Sequence, residues 1–359
     1  MKLSIITHIR LAAHDLKRGL LSLFIILCLF FVPCYSQDED SSSVSDVVTS
    51  LFRTEQPKIG LLAQMSGYII DRGTTLEING VGNKFRLFLT GSFARKFTYI
   101  IQGDFLEEYH LLDLKFSYIY REYLTIDFGR FKAPFGKEFL IKDENLLFID
   151  RSRVASKVGP NRQDGIQLRG KFFDGHVTYR TGVFGGEGTL FKSQKISLYS
   201  GRITASMNTS DDVMLAVGYS TAYSEDPMDV FAAGFSSGYS GDTRRFWGTD
   251  ARIEFGPYWV EGEYLTLSGG SYFLPEGAYI DVGKNFGSTF SVAARLDWFQ
   301  EQVYFLSRPE ELRIDRSYLI GLNWYPEPGL KFMLDFQHYP DSRVSVVTLL
   351  FSYAVNTGN

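Results

Sequence analysis

Apolar and polar residues alternate with a period of two over most of this chain, from about Lys58 to Tyr353. One instance sets Phe290, Val292, Ala294, Leu296 and Trp298 against Ser291, Arg295 and Asp297. Because successive side chains of a strand point to opposite faces, one face is apolar and often aromatic while the other carries charge. Repeated over most of the chain, the pattern predicts an all-β fold, a transmembrane antiparallel β-barrel with a wet interior.

The lengths of the connections predict how the strands are ordered. Sixteen segments alternate, with predicted bounds 58–69, 84–93, 96–105, 111–120, 123–131, 165–173, 175–184, 196–207, 212–221, 246–255, 257–267, 276–285, 288–299, 315–325, 328–338 and 344–354. Every second connection is short, at Ala94-Arg95, Arg121-Glu122, Asp174, Thr209-Ser210-Asp211, Gly256, Phe286-Gly287 and Pro326-Glu327. The connections 132–164, 222–245 and 300–314 are long. Bacterial barrels have an even number of strands, short periplasmic turns and longer outside loops, and this chain follows that rule.

Residues 1–36 have the layout of a signal peptide, with a basic start, an apolar run from Gly19 to Val32, and small residues before Gln37. The run is about fifteen residues, shorter than the roughly twenty that a membrane-spanning helix needs. We expect a signal peptide at 1–36, a short polar periplasmic lead-in at 37–56 and the barrel at 57–359. The expected location is the bacterial outer membrane, with membrane lipid and the outer-membrane assembly machinery as partners.

Composition and residue spacing argue against several other classes of function. The full chain has a net charge of −4, and removal of the basic signal peptide makes it more negative. Nucleic-acid binding normally requires a basic surplus, so no nucleic-acid partner is expected. The histidines outside the signal peptide lie far apart in the chain, and no Ser/His/acid or metal-ligand spacing is visible. We therefore expect no enzymatic activity, no cofactor and no metal.

Aromatic residues cluster near the predicted periplasmic turns. Such rings form girdles where a barrel meets the membrane interface. The predicted members of the girdle are Tyr120, Tyr123, Tyr258, Trp259, Trp324 and Tyr325.

Basic residues on the predicted inner face are the candidates for ion selectivity. They are Lys115, Arg169, Lys171, Arg180, Arg202, Arg252 and Arg295. Three of them, Arg169, Arg180 and Arg202, lie mid-strand on consecutive strands and should form a patch on one wall. Charged patches of this kind bias the passage of ions. The inner acids lie mainly on other strands, which favours a transverse field, although a generally solvated lumen with neutralising pairs is the alternative.

The third outside loop, about 132 to 164, is too long to be a simple connection and is expected to be folded or functional. Its apolar residues include Phe139, Leu140, Leu146, Leu147 and Phe148, which folding into the lumen would bury. Its basic residues slightly outnumber its acids, and at a constriction this would favour anions. The basic candidates are Lys132, Lys137, Arg151, Arg153, Lys157 and Arg162.

The segment at the start of this loop resembles a sequence motif of a known protein family. Residues Asp127–Gly136 read DFGRFKAPFG, followed later by Arg151-Ser152-Arg153 and by Asp164–Gly170. This pattern resembles the phosphate-selective porin family (porin O/P type) of bacterial outer membranes. In that family a Gly-x-Phe-Lys-x-Pro-Phe segment precedes the loop that constricts a sixteen-stranded, usually trimeric barrel. The resemblance implies a homotrimeric porin whose partners are small anions, phosphate among them.

The sequence thus predicts an outer-membrane porin that lets small hydrophilic solutes diffuse, with a preference for anions or phosphate. The alternative within transport is a general or sugar-conducting porin. The alternative from another class is a surface adhesin or structural barrel whose lumen is closed.

Overall fold

The computed structural model describes residues 57–73, 75–93, 96–106, 109–185, 197–210, 212–225, 243–268, 275–305 and 308–357. The predicted signal peptide and lead-in lie outside these residues. No helix in the described part of the chain is long and apolar enough to cross a membrane.

Sixteen antiparallel strands form one closed barrel in which each strand pairs with its neighbours in sequence and β16 closes onto β1. The strands are β1 (Lys58–Asp71), β2 (Leu76–Phe93), β3 (Phe97–Asp104), β4 (His110–Arg121), β5 (Leu124–Lys132), β6 (Arg162–Phe172), β7 (Val177–Phe184), β8 (Leu198–Ser210), β9 (Val213–Ser224), β10 (Arg244–Phe255), β11 (Tyr258–Ser268), β12 (Glu276–Phe286), β13 (Phe290–Phe305), β14 (Arg308–Glu327), β15 (Leu330–Tyr339) and β16 (Val344–Val355). The predicted strand number, order and fold class are confirmed.

The two faces of the wall have the polarity that the alternation predicts. On β6, Ile166 and Leu168 are 52% and 40% exposed on the outer face, whereas Gln167 between them is buried inside. At the short-turn end, Gly256, Gly287 and Gly329 have positive φ angles, which glycine adopts at little cost and which let the chain reverse tightly.

One connection predicted to be a long loop is mostly strand. Residues 300–305 belong to β13 and residues 308–314 to β14, with Gln300 opposite Ile314 and Glu301 opposite Arg313. The segment begins with three polar residues in succession, Gln300, Glu301 and Gln302, so its sequence lacks the alternation that identifies a strand within lipid. A ladder that projects beyond the membrane needs no apolar outer face.

The prediction of the aromatic girdle was wrong for Trp259 and Tyr325, which both lie on the inner side of the barrel. Four predicted members are exposed on the outer face: Tyr120, Tyr123, Tyr258 and Trp324. Trp259 is 2% exposed and packs inside the barrel against Phe148. Tyr325 lies beside the Lys331 ammonium on the inner side, where both border a cavity. Both rings follow an outward-facing aromatic residue, and the period of two turns them inward.

The third outside loop, residues 133–161, folds into the lumen as predicted. It contains two 3-10 turns, Glu138–Leu140 and Asp143–Asn145, and a short helix α1, Arg153–Lys157. We call these residues the infolded loop. Its side chains form the barrel's core with inward residues of the wall: Val154, Ala155 and Val158 pack with Tyr279 and Phe299 of β12 and β13. The loop is hydrogen-bonded to β11, β13 and β15, and two cavities lie between it and the wall formed by β2 to β8.

Candidate functional site

The segment that resembles the family motif builds the entrance to the infolded loop. Gly129 has a φ of +115°, and a Cβ at this position would lie 2.0 Å from the Leu114 carbonyl oxygen. Phe131 and Phe135 are buried in the core. The Lys132 ammonium donates to the carbonyl of Phe139 at 2.6 Å, and to that of Ile141 at 3.2 Å. These residues turn the chain from the wall into the lumen.

Arg295 of β13 clamps the middle of the infolded loop. Its guanidinium donates to Asp281 at 2.7 Å and to Glu138 of the loop at 2.6 Å. The rings of Phe148 and Tyr279 lie 4.6 Å and 4.4 Å from the guanidinium carbon. The Arg295 side chain is only 3% exposed. A charge buried this deeply needs its carboxylate partners, so the clamp ties the loop firmly to this wall.

Other wall carboxylates accept hydrogen bonds from the backbone of the infolded loop. Asp335 accepts from the Ile149 N–H at 2.7 Å, and Asp297 accepts from the Arg153 N–H at 2.8 Å. Glu263 accepts from the Lys137 N–H. Three acids on β11, β13 and β15 are thus occupied beneath the loop rather than facing water.

Asp143 ties the infolded loop to the opposite wall. Its carboxylate pairs with Arg86 of β2 at 2.6 Å, with Lys84 at 3.0 Å, and with Arg151 of the loop itself at 2.6 Å. Burial alone would raise the pKa of Asp143, but Lys84, Arg151 and Arg86 together hold that pKa well below its usual value. A depressed carboxyl pKa means that the stabilisation is present above the ordinary value near 3.9 and is lost as pH falls through the depressed value.

Replacing Asp143 with asparagine should therefore leave the local cations uncompensated at pH 7. We expect Asp143→Asn to raise the anion preference and to loosen the loop at this contact. The difference from the wild-type channel should persist from pH 7 down to about 4 and vanish only at lower pH. Single-channel recordings of both proteins across this range test the prediction. A difference that disappears between pH 7 and pH 5 would show that the carboxylate is not held in its charged form.

A first cavity of about 250 Å³ lies between the infolded loop and strands β2 to β7. Six basic residues line it: Arg86, Lys115, Lys132, Lys142, Arg162 and Arg180. Three acids line it: Asp113, Asp143 and Glu144. The lining therefore has a basic surplus, although the chain as a whole is acidic.

A second cavity of about 230 Å³ lies against β7 and β8. Its charged lining consists of Lys137, Arg180 and Arg202, and no acid lines it among the described residues. Arg180 and Leu140 border both cavities. We call the two cavities together the passage, and Arg180 lies on the border that they share.

The three arginines of the predicted patch lie in one row across neighbouring strands. Arg169 is opposite Arg180 on β7, which is opposite Arg202 on β8. Arg169 pairs with Asp127 at 2.8 Å, and Arg202 pairs with Asp250 at 2.6 Å. Arg180 is exposed, and no ion pair or hydrogen bond joins it to another of the described residues. It is therefore the member of the row whose charge is free to act on an ion.

The other wall residues predicted to select ions lie in three different surroundings. Lys115 lines the first cavity and has no ion-pair partner within the described ranges. Lys171 is exposed at the short-turn end of β6, outside both cavities. Arg252 pairs with Glu254 and Glu261 and stacks on the Trp259 ring at 4.9 Å.

Some of the basic residues predicted to line the constriction border the passage, and others form ion pairs that fix the infolded loop to the wall. Lys132 and Arg162 line the first cavity, and Lys137 lines the second. Arg151 pairs with Asp143, and Arg153 pairs with Asp315 of β14 at 2.9 Å. Lys157 lies in the last turn of α1. Arg153, Arg252 and Arg295 thus stabilise the fold through ion pairs. The sequence pattern alone does not distinguish this structural role from lining a pore.

Comparisons with known proteins agree with this architecture. Residues 72–244 match the family described as phosphate-selective porin O and P, which confirms the resemblance over the strands and loop that build the passage. No curated protein matches the sequence.

Solved structures with a similar fold cover most of this chain. Salmonella typhi OmpF in complex with daunomycin superposes with a TM-score of 0.59 at 10% identity, over 84% of this chain and 98% of its own. An anion-selective porin from Comamonas acidovorans gives 0.58 at 10% identity, over 83% and 99%. The trimer form of Vibrio cholerae OmpT gives 0.55 at 7% identity, over 83% and 99%. At these identities the likeness concerns the fold.

Proposed function

We propose that this outer-membrane porin, of the phosphate-selective type by its family match, lets small hydrophilic anions diffuse through the passage, phosphate among them. The proposal rests mainly on the position and the free charge of Arg180. Arg180 is a water-exposed cation without an ion-pair partner in the described part of the chain, and it borders both cavities. A similar fold in an anion-selective porin is consistent with this proposal.

The separation of charge across the lumen supports a preference for anions. Bases on β2 to β8 border the passage, whereas Glu263, Asp297 and Asp335 on the other wall accept hydrogen bonds from the infolded loop. These three acids are thus covered by the loop, while Lys115 and Arg180 border the passage without an ion-pair partner among the described residues. A passing anion therefore meets a positive potential on the side of Lys115 and Arg180. The net negative charge of the whole chain does not determine the potential at this wall.

The passage requires no chemical step. Guanidinium and ammonium groups replace part of an anion's hydration shell, and a unit charge such as that of Arg180 binds weakly enough to release the ion. We therefore propose a diffusion channel that catalyses no reaction and needs no cofactor.

The trimer form of a protein with this fold supports a further proposal, that three copies of this chain associate in the membrane. Native mass spectrometry of detergent-extracted protein should give the mass of three chains, and the mass of one chain would contradict the proposal.

The experiment that tests the proposed function is recording from the purified protein in a planar bilayer. Channel steps in KCl are expected, and phosphate added to the bath should reduce the chloride current because both anions compete for the same passage. A barrel that gives no channel steps would instead support a closed structural or adhesive barrel. An equal flux of anions, cations and sugars would support a general pore.

A further inference from the structure

The first cavity has an apolar border that hydrated inorganic ions do not require. Leu140 of the infolded loop and Ile100 of β3 are partly exposed on its lining, with the rings of Phe88 and Phe131 buried behind them. Apolar surface next to water is a favourable contact only for a solute that itself carries apolar surface.

The cations of this cavity differ in how much of their charge is available. Arg86 and Arg162 pair with Asp104 and Asp113, each at 2.9 Å. The Lys132 ammonium donates to two carbonyls of the loop. The Lys142 ammonium donates to the Thr357 carbonyl at 3.5 Å. Lys115 and Arg180 have neither an ion-pair nor a hydrogen-bond partner among the described residues, so these two wall cations are the most available to a carboxylate.

Space for a ligand is available beside these two cations. Lys115 of β4 and Arg180 of β7 line the same cavity together with the side chain of Gln167, so a ligand inside it can reach both cations. Pockets for drug-sized ligands have volumes of about 300–1,000 Å³, and the 250 Å³ of this cavity suits a smaller molecule.

We propose that the first cavity is a binding subsite for small organic carboxylates with an apolar body, such as a single aromatic ring. The carboxylate contacts Lys115 or Arg180, and the apolar body lies between Leu140 and Ile100. This inference rests on the proposed function, since the solute must first enter as an anion. The subsite would make the channel prefer anions that carry apolar surface, in addition to its preference for anions over cations.

Block of the chloride current by three anions at the same pH tests the subsite. Benzoate should reduce the current at a concentration about ten-fold lower than acetate or inorganic phosphate does, because burial of the ring adds to the shared charge interaction. Leu140→Ser and Ile100→Ser, on opposite sides of the cavity, should each remove most of this advantage without changing block by phosphate.

Ile141→Ser is the matched control. Ile141 borders the second cavity but not the first, and it adjoins Leu140 in the chain. This variant should keep the benzoate advantage. Benzoate that blocks no better than acetate in an otherwise anion-selective channel would overturn the subsite and leave the proposed function intact. A channel with no anion preference at all would overturn both.

Discussion

Replacing Arg180 with alanine should lower the ratio of chloride to potassium permeability more than any other single change among the basic residues of the passage. Its charge is exposed, has no carboxylate partner among the described residues, and borders both cavities. A unit charge at about 4 Å in water is worth roughly 1 kcal/mol, and it acts with opposite sign on anions and cations. We therefore expect the permeability ratio to fall by about five-fold or more, and Arg180→Glu to favour cations.

Lys171→Ala is the matched control for this change. Lys171 is also a basic residue of the inner face, but it lies at the short-turn end of β6 and outside both cavities. Its removal should shift the reversal potential only slightly, because water and salt screen an exposed charge at the wide mouth. If Arg180→Ala and Lys171→Ala shift the potential equally, then the charge that borders both cavities does not select ions.

Replacing Arg295 with alanine should release the infolded loop from its wall and enlarge the single-channel conductance. The substitution leaves Glu138 and Asp281 buried without the cation they share. Removing one partner of a buried pair typically costs about 3–5 kcal/mol. Since the loop can leave the wall and solvate Glu138, we expect the loop rather than the barrel to yield. Protease cleavage within residues 137–160 should appear together with the larger conductance.

Two further variants make this prediction decisive. Glu138→Ala removes the loop's side of the clamp while Arg295 keeps its pair with Asp281, so the wall stays intact. Arg313→Ala removes a surface arginine that is 54% exposed and lies 3.2 Å from Asp315; exposed pairs of this kind contribute roughly 0–1 kcal/mol. Arg313→Ala should behave as wild type. Unchanged conductance and protease resistance in both Arg295→Ala and Glu138→Ala would contradict the clamp.

Sequence alternation predicted most of this fold because lipid imposes a strict rule on each strand. Every second residue must be apolar where a strand crosses the membrane, so Ile166 and Leu168 are recognisable without a structure. The same rule fails where lipid is absent. The sequence of the outer part of the β13–β14 hairpin predicts a loop, whereas the structure has paired strands there. The aromatic character of Trp259 predicts the outer face, whereas the period of two turns its ring inward.

The roles of the basic residues could be predicted only in part. Alternation placed Arg169, Arg180 and Arg202 on one wall, and the strand register puts them in one row. The alternation could not distinguish an arginine without an ion pair from one that is neutralised by a carboxylate, because the paired carboxylates lie far away in the sequence. Glu138 and Arg295, for example, are separated by 157 positions and meet only when the loop folds inward.

The measurement that tests the account most directly is the reversal potential of the wild-type channel across a KCl gradient. The account predicts the sign of a chloride-selective pore, because bases border the passage while the infolded loop covers acids of the other wall. A potential with the sign of a potassium-selective pore would contradict it.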